Sequence, residues 1–255
     1  MRRSPTPSGD GLAVIGLVVV SHSRALADAV VELATQMTPH GGPTVAVAAG
    51  VDGGLGTDAT AVAEALADAS SPDGVLVLMD LGSAVMSAEL AIELADLDGV
   101  EVRLSPAPLV EGLVAAVVRA AGGADLATVA REAESALEPK RSALGEPAAA
   151  GPSDEHGSTG PPDTSVTLTL VNPGGLHARP AAQLAAALGR LDAEVAVAAN
   201  GREADGASSL ELLTLGTGQG TAITVSATGP DAQRAVDTAR TLVEEGFGEL
   251  PDGDT

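Results

Sequence analysis

Four short apolar runs alternate with stretches of helical periodicity in the first half of the chain, and this alternation restricts the fold more than any other feature. The runs occupy residues 13–20, 44–48, 75–79 and 100–104. Helices are expected near 24–37, 58–69, 84–94, 109–121 and 125–137. Strands that are apolar throughout are typical of a parallel sheet covered by helices on both faces. We therefore predict βαβ architecture, in which ligands bind beyond the carboxyl ends of the strands.

The core must be built from small side chains, because 45% of the residues are hydrophobic but Phe247 is the single aromatic residue. Small side chains favour closely packed layers of helices and strands. Cysteine is absent, which excludes disulfides, thiolate catalysis and cysteine-based metal sites. The net charge of −22 leaves no basic surface for nucleic acid, so we expect no nucleic-acid partner and attribute the acidity to solubility.

The start of the sequence shows no signal for export or membrane insertion. Residues 1–11 are basic and polar and carry no apolar core of the signal-peptide type behind them. The apolar stretch at 12–20 is shorter than the roughly 20 residues that a membrane-spanning helix needs. We predict a cytoplasmic protein without a membrane contact.

The second half of the chain has a different pattern. Residues 165–170 alternate polar and apolar side chains, and 194–199 is a second strand followed by the hairpin signal Asn200-Gly201. Helices after residue 177, around 208–213 and from 230, with a strand at 221–227, complete an α+β open-faced sandwich. We predict a disordered extension at 1–11, an α/β domain at 12–138, a flexible linker rich in Pro, Gly and Ser at 139–164, a second domain at 165–249 and a disordered tail at 250–255.

The motif NPGGLHARP, at residues 172–180, places a histidine at a sharp corner between a strand and a helix. Pro180 falls in the first helical turn, where a missing N–H has no consequence. His177 therefore stands beside free backbone N–H groups and the positive end of the helix dipole, which together bind anions. Arg179 adds a charge suited to phosphate oxygens. Since neutral imidazole is a nucleophile, these residues suit a phosphoryl group carried on His177, although a helix-capping histidine has the same pattern.

A second histidine, His22, follows the first apolar strand and precedes a helix. Two glycine-containing loops, at 50–58 and 79–83, are expected to converge on the same edge of the sheet and to supply hydroxyl and N–H donors for phosphate. Asp80 is placed to accept a hydrogen bond from His22 and to fix its tautomer. A buried, inert histidine is the competing interpretation. The loop spacing does not match a dinucleotide fingerprint, and no nucleophile elbow accompanies Ser21 or Ser23.

The two remaining histidines carry no such pattern. His40 lies in a turn and His156 in the predicted linker, where we expect both to be solvated. No pair of histidines has a spacing suited to a metal, so we predict no metal site.

Residues 166–248 resemble HPr, the phosphocarrier of the bacterial sugar phosphotransferase system. The resemblance rests on NPGGLHARPAAQLA, VAANG, ASSLELLTLGTGQG and ITVSATGPDAQRAV. It implies that His177 accepts the phosphoryl group on Nδ1 and that Ala178 and Arg179 help to orient it. Many HPr proteins have a lysine before a regulatory serine, whereas Ala207 precedes Ser208 here, and Glu211 lies where the docking face is often basic. We therefore expect Ser208 to cap its helix.

Residues 13–137 resemble the EIIA-type domain of the DhaM family, which is related to the mannose-family EIIA domains. The matching motifs are LVVVSHS, AAGVDGGLGTDA, VLVLMDLGSAVMSAE and LSPAPLVEGLVAA. The family implies an α/β fold, a homodimer formed through this domain and phosphorylation of His22 on Nε2. Around His22 we expect four residues to bind or orient the phosphate, namely Thr57, Asp80, Gly82 and Ser83.

Together the resemblances imply a phosphohistidine relay in a phosphotransferase. Phosphate would arrive at His177 from enzyme I, pass to His22 and then to ADP on the partner DhaL, for phosphorylation of dihydroxyacetone on DhaK. No cofactor is expected on this chain, because ADP and magnesium belong to DhaL. The alternatives are a regulatory module that is read by a transcription factor or enzyme, and an EIIA component of a sugar transporter.

Overall fold

The structure, a computed structural model, describes residues 14–39, 41–144 and 162–250. Within these ranges no helix is both long and apolar enough to cross a membrane. The predicted extension at 1–11, the linker from residue 145 to 161, the last five residues, His40 and His156 lie outside the described residues. The predictions for them therefore stay predictions.

The first domain contains a four-stranded parallel sheet. Its strands are β1 (Gly16–Ser21), β2 (Val45–Ala49), β3 (Val75–Met79) and β4 (Val102–Ser105), in the order β2-β1-β3-β4. The central strand β1 is paired with β2 and β3 in parallel register, and all six of its residues are buried. This confirms the predicted parallel sheet, because only strands covered on both faces are apolar throughout.

Helices cover both faces of this sheet. They are α1 (Arg24–Thr35), α2 (Ala59–Asp68), α3 (Gly82–Leu94), α4 (Leu109–Ala121) and α5 (Leu126–Glu134). Buried residues of α1, α4 and α5 share one core cluster, whereas those of α2 and α3 share the cluster on the other face. The face of α3 that meets the sheet consists of Ala84, Ala88 and Ala91, all fully buried. Alanine at this spacing lets a helix approach a sheet closely, which is how a core without large aromatic residues is filled.

Several boundaries differ from the sequence prediction, among them those of β4, α3 and the segment that follows α5. Strand β4 begins at Val102, because Val100 N donates to Leu97 O in a turn. Helix α3 begins two residues earlier than predicted, so Gly82 and Ser83 form its first turn. The prediction that a flexible linker begins at residue 139 was wrong for its first residues, because a short helix, α6 (Glu138–Ala143), occupies this segment. An ion pair of 2.6 Å joins Lys140 Nζ to Glu111 Oε1 of α4 and supports this helix, and the local sequence does not reveal it.

The second domain is a four-stranded antiparallel sheet with helices packed on one face. Its elements are β5 (Thr164–Thr169), α7 (Ala178–Leu188), β6 (Glu194–Ala199), β7 (Arg202–Asp205), α8 (Ser209–Thr214), β8 (Ala222–Thr228) and α9 (Ala232–Glu244). The strand order is β5-β8-β6-β7. Alternate residues of β6 and β8 are buried against the helices. In β5, where the sequence predicted alternation, Val166 and Leu168 are each less exposed than the serine or threonine on either side. The open-faced α+β sandwich is confirmed.

The two domains contact each other through α4 and α5 on one side and the ends of α7 and α8 on the other. Arg119 Nη2 lies 3.2 Å from Asp205 Oδ2. Ser208 Oγ, which also caps α8, donates to Glu132 Oε1 at 2.5 Å. The predicted cap role of Ser208 is therefore confirmed, and this serine is 2% exposed because the first domain covers it.

Backbone atoms also meet at this contact. Arg190 Nε donates to Ala121 O at 2.8 Å. Gly122 and Gly189 end α4 and α7, and a Cβ atom placed on Gly122 would lie 3.5 Å from the Cα atom of Gly189. The two helix ends therefore approach within van der Waals distance, and glycine at both positions provides the necessary space.

Candidate functional site

His22 lies at the carboxyl end of β1, where the chain turns into α1. Ser23 caps α1 by accepting a hydrogen bond from Leu26 N, and this fixes the backbone on the far side of the histidine. The side chain of His22 is 23% exposed. Strand β1 is one of the two inner strands of the sheet and is buried along its length, so a well-packed element carries the ring.

Asp80, at the end of the neighbouring strand β3, holds His22 in place. Its Oδ1 atom lies 2.9 Å from His22 Nδ1, and its Oδ2 atom accepts from His22 N at 2.8 Å. Ser21 Oγ and Leu81 N also donate to this carboxylate, at 2.9 and 2.7 Å. Burial raises the pKa of Asp80, but these hydrogen bonds outweigh it, and the pKa lies below its usual range. Asp80 is therefore anionic at neutral pH, and the Nδ1 atom of His22 carries the ring proton.

The other ring nitrogen of His22 faces the start of α3. Ser83 Oγ lies 2.9 Å from Nε2. Since Nδ1 donates to Asp80, Nε2 is the acceptor and Ser83 the donor. The N-cap residue of α3, Leu81, offers no side-chain hydrogen bond, so no side chain caps the first-turn amides of Gly82 and Ser83. An uncapped helix start beside an unprotonated ring nitrogen is suited to an anionic group bonded to that nitrogen.

The loop after β2 also reaches His22, as predicted, but through its backbone. Gly56 N donates to His22 O at 2.9 Å. The Thr57 hydroxyl lies 2.7 Å from Ser87 Oγ of α3, so the structure pairs it with this serine and not with the imidazole. Ser87 was not among the residues predicted from the sequence. It follows Ser83 by four residues, and this spacing, which places both serines on the same face of α3, could have indicated it.

His177 is the N-cap residue of α7, and its side chain is 46% exposed. The helix has no side-chain cap. Ala181 N is the first amide to bond within the helix, to His177 O, and Pro180 has no N–H. The amides of Ala178 and Arg179 thus belong to the first turn and have no acceptor within the helix. They lie next to an exposed imidazole, and the Arg179 side chain is exposed on the same turn.

The two glycines before His177 have different functions in the corner. Gly175 has φ +62°, and a Cβ atom there would lie 2.5 Å from Thr217 O, so any side chain would be strained and would collide with backbone. A Cβ atom on Gly174 would lie 2.3 Å from Cδ2 of His177. Gly175 therefore permits the turn, whereas Gly174 makes room for the imidazole ring.

Glu249 is a residue of this site that the sequence analysis did not identify. Its Oε2 atom lies 3.0 Å from His177 Nε2 and accepts from Asn172 Nδ2 at 3.0 Å. Burial raises the pKa of Glu249, but the hydrogen bonds from Asn172 and His177 and the nearby charge of Arg179 outweigh it, and the pKa lies below its usual range. No local motif connects Glu249 with a histidine 72 residues away.

The carboxylates of the two sites bind opposite ring nitrogens. Asp80 contacts Nδ1 of His22, and Glu249 contacts Nε2 of His177. An imidazole that donates one N–H to a carboxylate presents a lone pair on its other nitrogen. His22 thus presents Nε2 and His177 presents Nδ1, each next to an uncapped helix start. Among the described residues no group of His, Asp or Glu side chains is arranged to hold a metal ion.

Two family models match the chain in succession. The model EIIA-man, described as the PTS system fructose IIA component, matches residues 16–130. The model PTS-HPr, described as the PTS HPr component phosphorylation site, matches residues 164–245. Each match covers one of the two observed domains, and His22 and His177 fall within them.

Some curated relatives match nearly the whole chain and others match a part of it. The phosphoryl donor subunit DhaM of a PEP-dependent dihydroxyacetone kinase from Pantoea ananatis is 42% identical over 251 residues, which are 94% of this chain and 52% of the relative. The corresponding DhaM subunit of kinase 2 from Listeria innocua is 34% identical over 107 residues, 42% of this chain and 86% of the relative. The phosphocarrier protein HPr of Vibrio cholerae is 40% identical over 83 residues, 32% of this chain and 95% of the relative. The chain thus spans about half the length of the relatives that it matches throughout.

Proposed function

Because this chain belongs to the DhaM family of phosphoryl donor subunits, we propose that it relays a phosphoryl group through His177 and His22 for a PEP-dependent dihydroxyacetone kinase. One observation carries the proposal. His177 stands at the uncapped start of α7, and His22 faces the uncapped start of α3; each has one ring nitrogen bound to a carboxylate, so that the other nitrogen is the nucleophile. The proposed sequence is enzyme I, His177, His22 and then ADP.

At His177 the lone pair of Nδ1 attacks the phosphorus of phosphorylated enzyme I. The new N–P bond forms as the donor's bond breaks, and the donor atom keeps the bonding electron pair. The amides of Ala178 and Arg179 and the Arg179 guanidinium are the groups proposed to hold the phosphoryl oxygens. Positioning and charge stabilisation carry most of the catalysis in such a transfer.

At His22 the attacking atom is Nε2, and phosphohistidine 177 is the donor. Ser83 Oγ, which donates to Nε2 before transfer, is free to donate to a phosphoryl oxygen afterwards. Gly82 is proposed to contribute its first-turn amide, and Asp80 stabilises the positive charge of the phosphorylated ring. For Thr57 we propose a supporting function through Ser87 on α3, which carries Ser83.

The last acceptor is proposed to be ADP on DhaL, whose regenerated ATP phosphorylates dihydroxyacetone on DhaK. The similarity to DhaM subunits of PEP-dependent dihydroxyacetone kinases supports the class of kinase, and the two matched domains of this chain account for two phosphorylated histidines. In this scheme the nucleotide and its magnesium belong to DhaL, and this chain carries phosphate only as a covalent group on histidine. The whole relay is proposed to operate in the cytoplasm.

We propose a homodimer formed through the first domain. Helix α3 carries three exposed apolar residues at a spacing of four, Met86, Leu90 and Leu94, with exposed fractions of 73%, 49% and 57%. Residues at this spacing share one helix face, and a continuous exposed apolar face is typical of a protein interface. Leu90→Glu should dissociate the dimer in sedimentation experiments, whereas Leu144→Glu, at a more exposed leucine outside α3, should leave the sedimentation behaviour unchanged.

Reconstitution tests the relay. With phosphoenolpyruvate and enzyme I, the wild-type chain should gain acid-labile phosphate on both histidines. A His177→Ala chain should lose labelling at His22 unless free HPr is added, and a His22→Ala chain should keep the label on His177. Normal labelling of His22 in His177→Ala, without any other carrier, would overturn the order of the two stations.

Adding DhaK, DhaL, ADP and dihydroxyacetone separates the relay from its alternatives. The kinase proposal requires dihydroxyacetone phosphate to form with wild type and not with His22→Ala. A chain that is phosphorylated on both histidines but forms no product would favour the regulatory module. Phosphate transfer to a sugar permease domain in place of DhaL would favour the transporter component.

A further inference from the structure

We propose that Glu249 is a positioning residue for His177, which holds Nε2–H and directs the lone pair of Nδ1 toward the incoming phosphoryl group. This inference rests on the proposed function of His177. Its geometric basis is the distance of 3.0 Å between Glu249 Oε2 and His177 Nε2 and the limited exposure of the carboxylate side chain, which is 18%.

The position of Glu249 depends on the buried side chain of Phe247 and on the two glycines that flank it. Phe247, 3% exposed, is buried in the core of the second domain after the end of α9. Gly246 and Gly248 on either side have φ values of +58° and +72°, which turn the chain sharply. A buried side chain between two such turns fixes the direction of the chain that follows it. Glu249 therefore lies next to the turn between β5 and α7 that contains His177.

Asn172 holds the carboxylate from the other side. This asparagine is fully buried, and its Nδ2 atom donates both to Gly175 O at 2.8 Å and to Glu249 Oε2 at 3.0 Å. The same side chain thus connects the turn that carries His177 with the carboxylate that binds its ring. Two independent hydrogen bonds on one oxygen restrict the position of Glu249 more than a single surface ion pair does.

The chemistry of transfer gives the carboxylate a function in the product as well. When Nδ1 forms its bond to phosphorus, the donor keeps its bonding electron pair and His177 keeps its proton on Nε2. The ring of phosphohistidine then carries a positive charge, which the carboxylate of Glu249 stabilises across the existing hydrogen bond. No proton has to leave the site in this step.

Glu249→Ala tests the proposal, with Glu244→Ala as the control because Glu244 is an exposed carboxylate near the end of α9. We expect kcat for phosphorylation of His177 by enzyme I to fall about tenfold, with little change in KM. The ¹⁵N NMR signals of the His177 ring should show loss of the tautomer that carries its proton on Nε2, because the carboxylate no longer accepts that hydrogen bond. The control should match wild type in both measurements.

A conservative variant separates charge from the hydrogen bond. In Glu249→Gln the amide oxygen still accepts Nε2–H, so the proton signal of this hydrogen bond in NMR spectra should persist while kcat stays below that of wild type, because the negative charge is lost. Unchanged kcat and an unchanged ring tautomer in a folded Glu249→Ala chain would overturn the inference. Loss of all labelling at His177 in the wild-type chain would instead overturn the proposed function.

A second inference comes from the contact between the domains: we infer that it is a resting arrangement, which transfer within one chain must open. Asp205, Ser208 and Gly189, which form the contact, lie near the carboxyl end of α7 and the start of α8. His177 lies at the start of α7, and the eleven residues of this helix separate it by about 16 Å from the other end. The histidine of the second domain is thus far from the contact.

The first domain shows the same separation. Arg119 and Gly122 lie at the end of α4, which follows β4 and runs thirteen residues, about 20 Å, from the carboxyl edge of the sheet to the opposite edge. His22 lies at the carboxyl edge. Since each histidine lies at the end of its domain that faces away from the contact, the docked arrangement does not bring their nitrogens together for in-line transfer.

The contact also has features of an interface that opens. Arg119 pairs with Asp205, but its Nε and Nη1 atoms are buried and have no hydrogen-bond partner among the residues that the structure describes. Burial raises the pKa of Glu132, which the hydrogen bond from Ser208 only partly offsets. Unpaired donors and a desolvated carboxylate both weaken docking.

A reversible lock tests this second inference, which also rests on the proposed function. The natural chain has no cysteine, so a Gly122→Cys, Gly189→Cys pair can be oxidised without competing thiols. With the label on His177 and the chain dilute, transfer to His22 should be rapid in the reduced pair and in each single-cysteine control, and at least tenfold slower in the oxidised pair.

The outcomes distinguish the two ideas. Equal transfer rates in the oxidised and reduced pair would overturn the inference of a resting arrangement. Absence of transfer in the reduced pair and in wild type would overturn the relay itself. Mixing His177→Ala with His22→Ala chains measures transfer between chains, and this rate is subtracted before the comparison.

Discussion

Oδ1 of Asp80 lies 2.9 Å from Nδ1 of His22 and so determines which nitrogen of that ring is unprotonated. Glu249 binds Nε2 of His177, the opposite nitrogen. In both domains a carboxylate accepts the N–H of the ring and leaves the other nitrogen unprotonated. The reactive atom is therefore Nε2 in His22 and Nδ1 in His177. The reactive nitrogen depends on which side of the ring the fold places the acid.

Asp80→Asn should slow phosphorylation of His22 by at least about 100-fold, because the amide N–H₂ favours the tautomer that protonates Nε2. The ring tautomer is measured by ¹⁵N NMR, and the transfer rate by labelling from phosphorylated His177. Asp28→Asn, which removes an exposed carboxylate paired with Arg24, is the control and should leave both unchanged. A normal rate in Asp80→Asn would contradict the assigned tautomer.

Gly174→Ala should slow transfer at His177 about tenfold or more without lowering stability. The new Cβ atom would lie 2.3 Å from Cδ2 of His177 and displace the ring, while the backbone at Gly174 has no positive φ to strain. Gly218→Ala, where a Cβ atom meets nothing within 4 Å, serves as the control. Equal rates in the two variants would show that the ring tolerates the displacement.

Gly175→Ala should instead destabilise the second domain by about 1–3 kcal/mol. Its φ of +62° and the approach of 2.5 Å to Thr217 O both oppose a side chain. Urea denaturation measures the change in the free energy of unfolding. Gly216→Ala also has a positive φ but no neighbour within 4 Å, so the difference between the two variants isolates the steric collision.

Acid should remove the stabilisation that Asp80 contributes. The pKa of Asp80 is lowered in the folded chain, so its contribution is fully present above the unfolded pKa and is lost as pH falls through the folded pKa, below about 4. The free energy of unfolding, measured against pH, should therefore fall less steeply in Asp80→Asn than in wild type over this acid range. Parallel curves would show that Asp80 does not couple to folding.

Glu132→Gln should strengthen docking of the domains at neutral pH severalfold. Burial raises the pKa of Glu132, so the charged form opposes docking, and docking in wild type should weaken as pH rises through that raised pKa. Glutamine still accepts from Ser208 but carries no charge. Energy transfer between labels on the two domains measures the docked fraction, and Glu64→Gln, an exposed residue of α2, is the control.

The fold followed from local patterns. The apolar runs of β1 and β3 reflect strands that are buried on both faces. The bounds of β3, α4 and β6 were predicted to the residue, because the periodicity of apolar residues follows which side chains are buried. Helix α6 was missed because its support is the ion pair between Lys140 and Glu111, residues 29 positions apart. A contact of that kind leaves no trace in a local window.

The two domains, their order and the two histidine corners could be predicted from local sequence, because turn residues and apolar periodicity act over a few neighbouring residues. Three contacts could be learned only from the folded chain: Glu249 binds His177, Ser83 faces Nε2 of His22, and Glu132 covers Ser208. These pairs are separated by 61 to 76 residues along the chain. Their meeting depends on how whole elements pack, and packing is set by the combined core and not by any one motif.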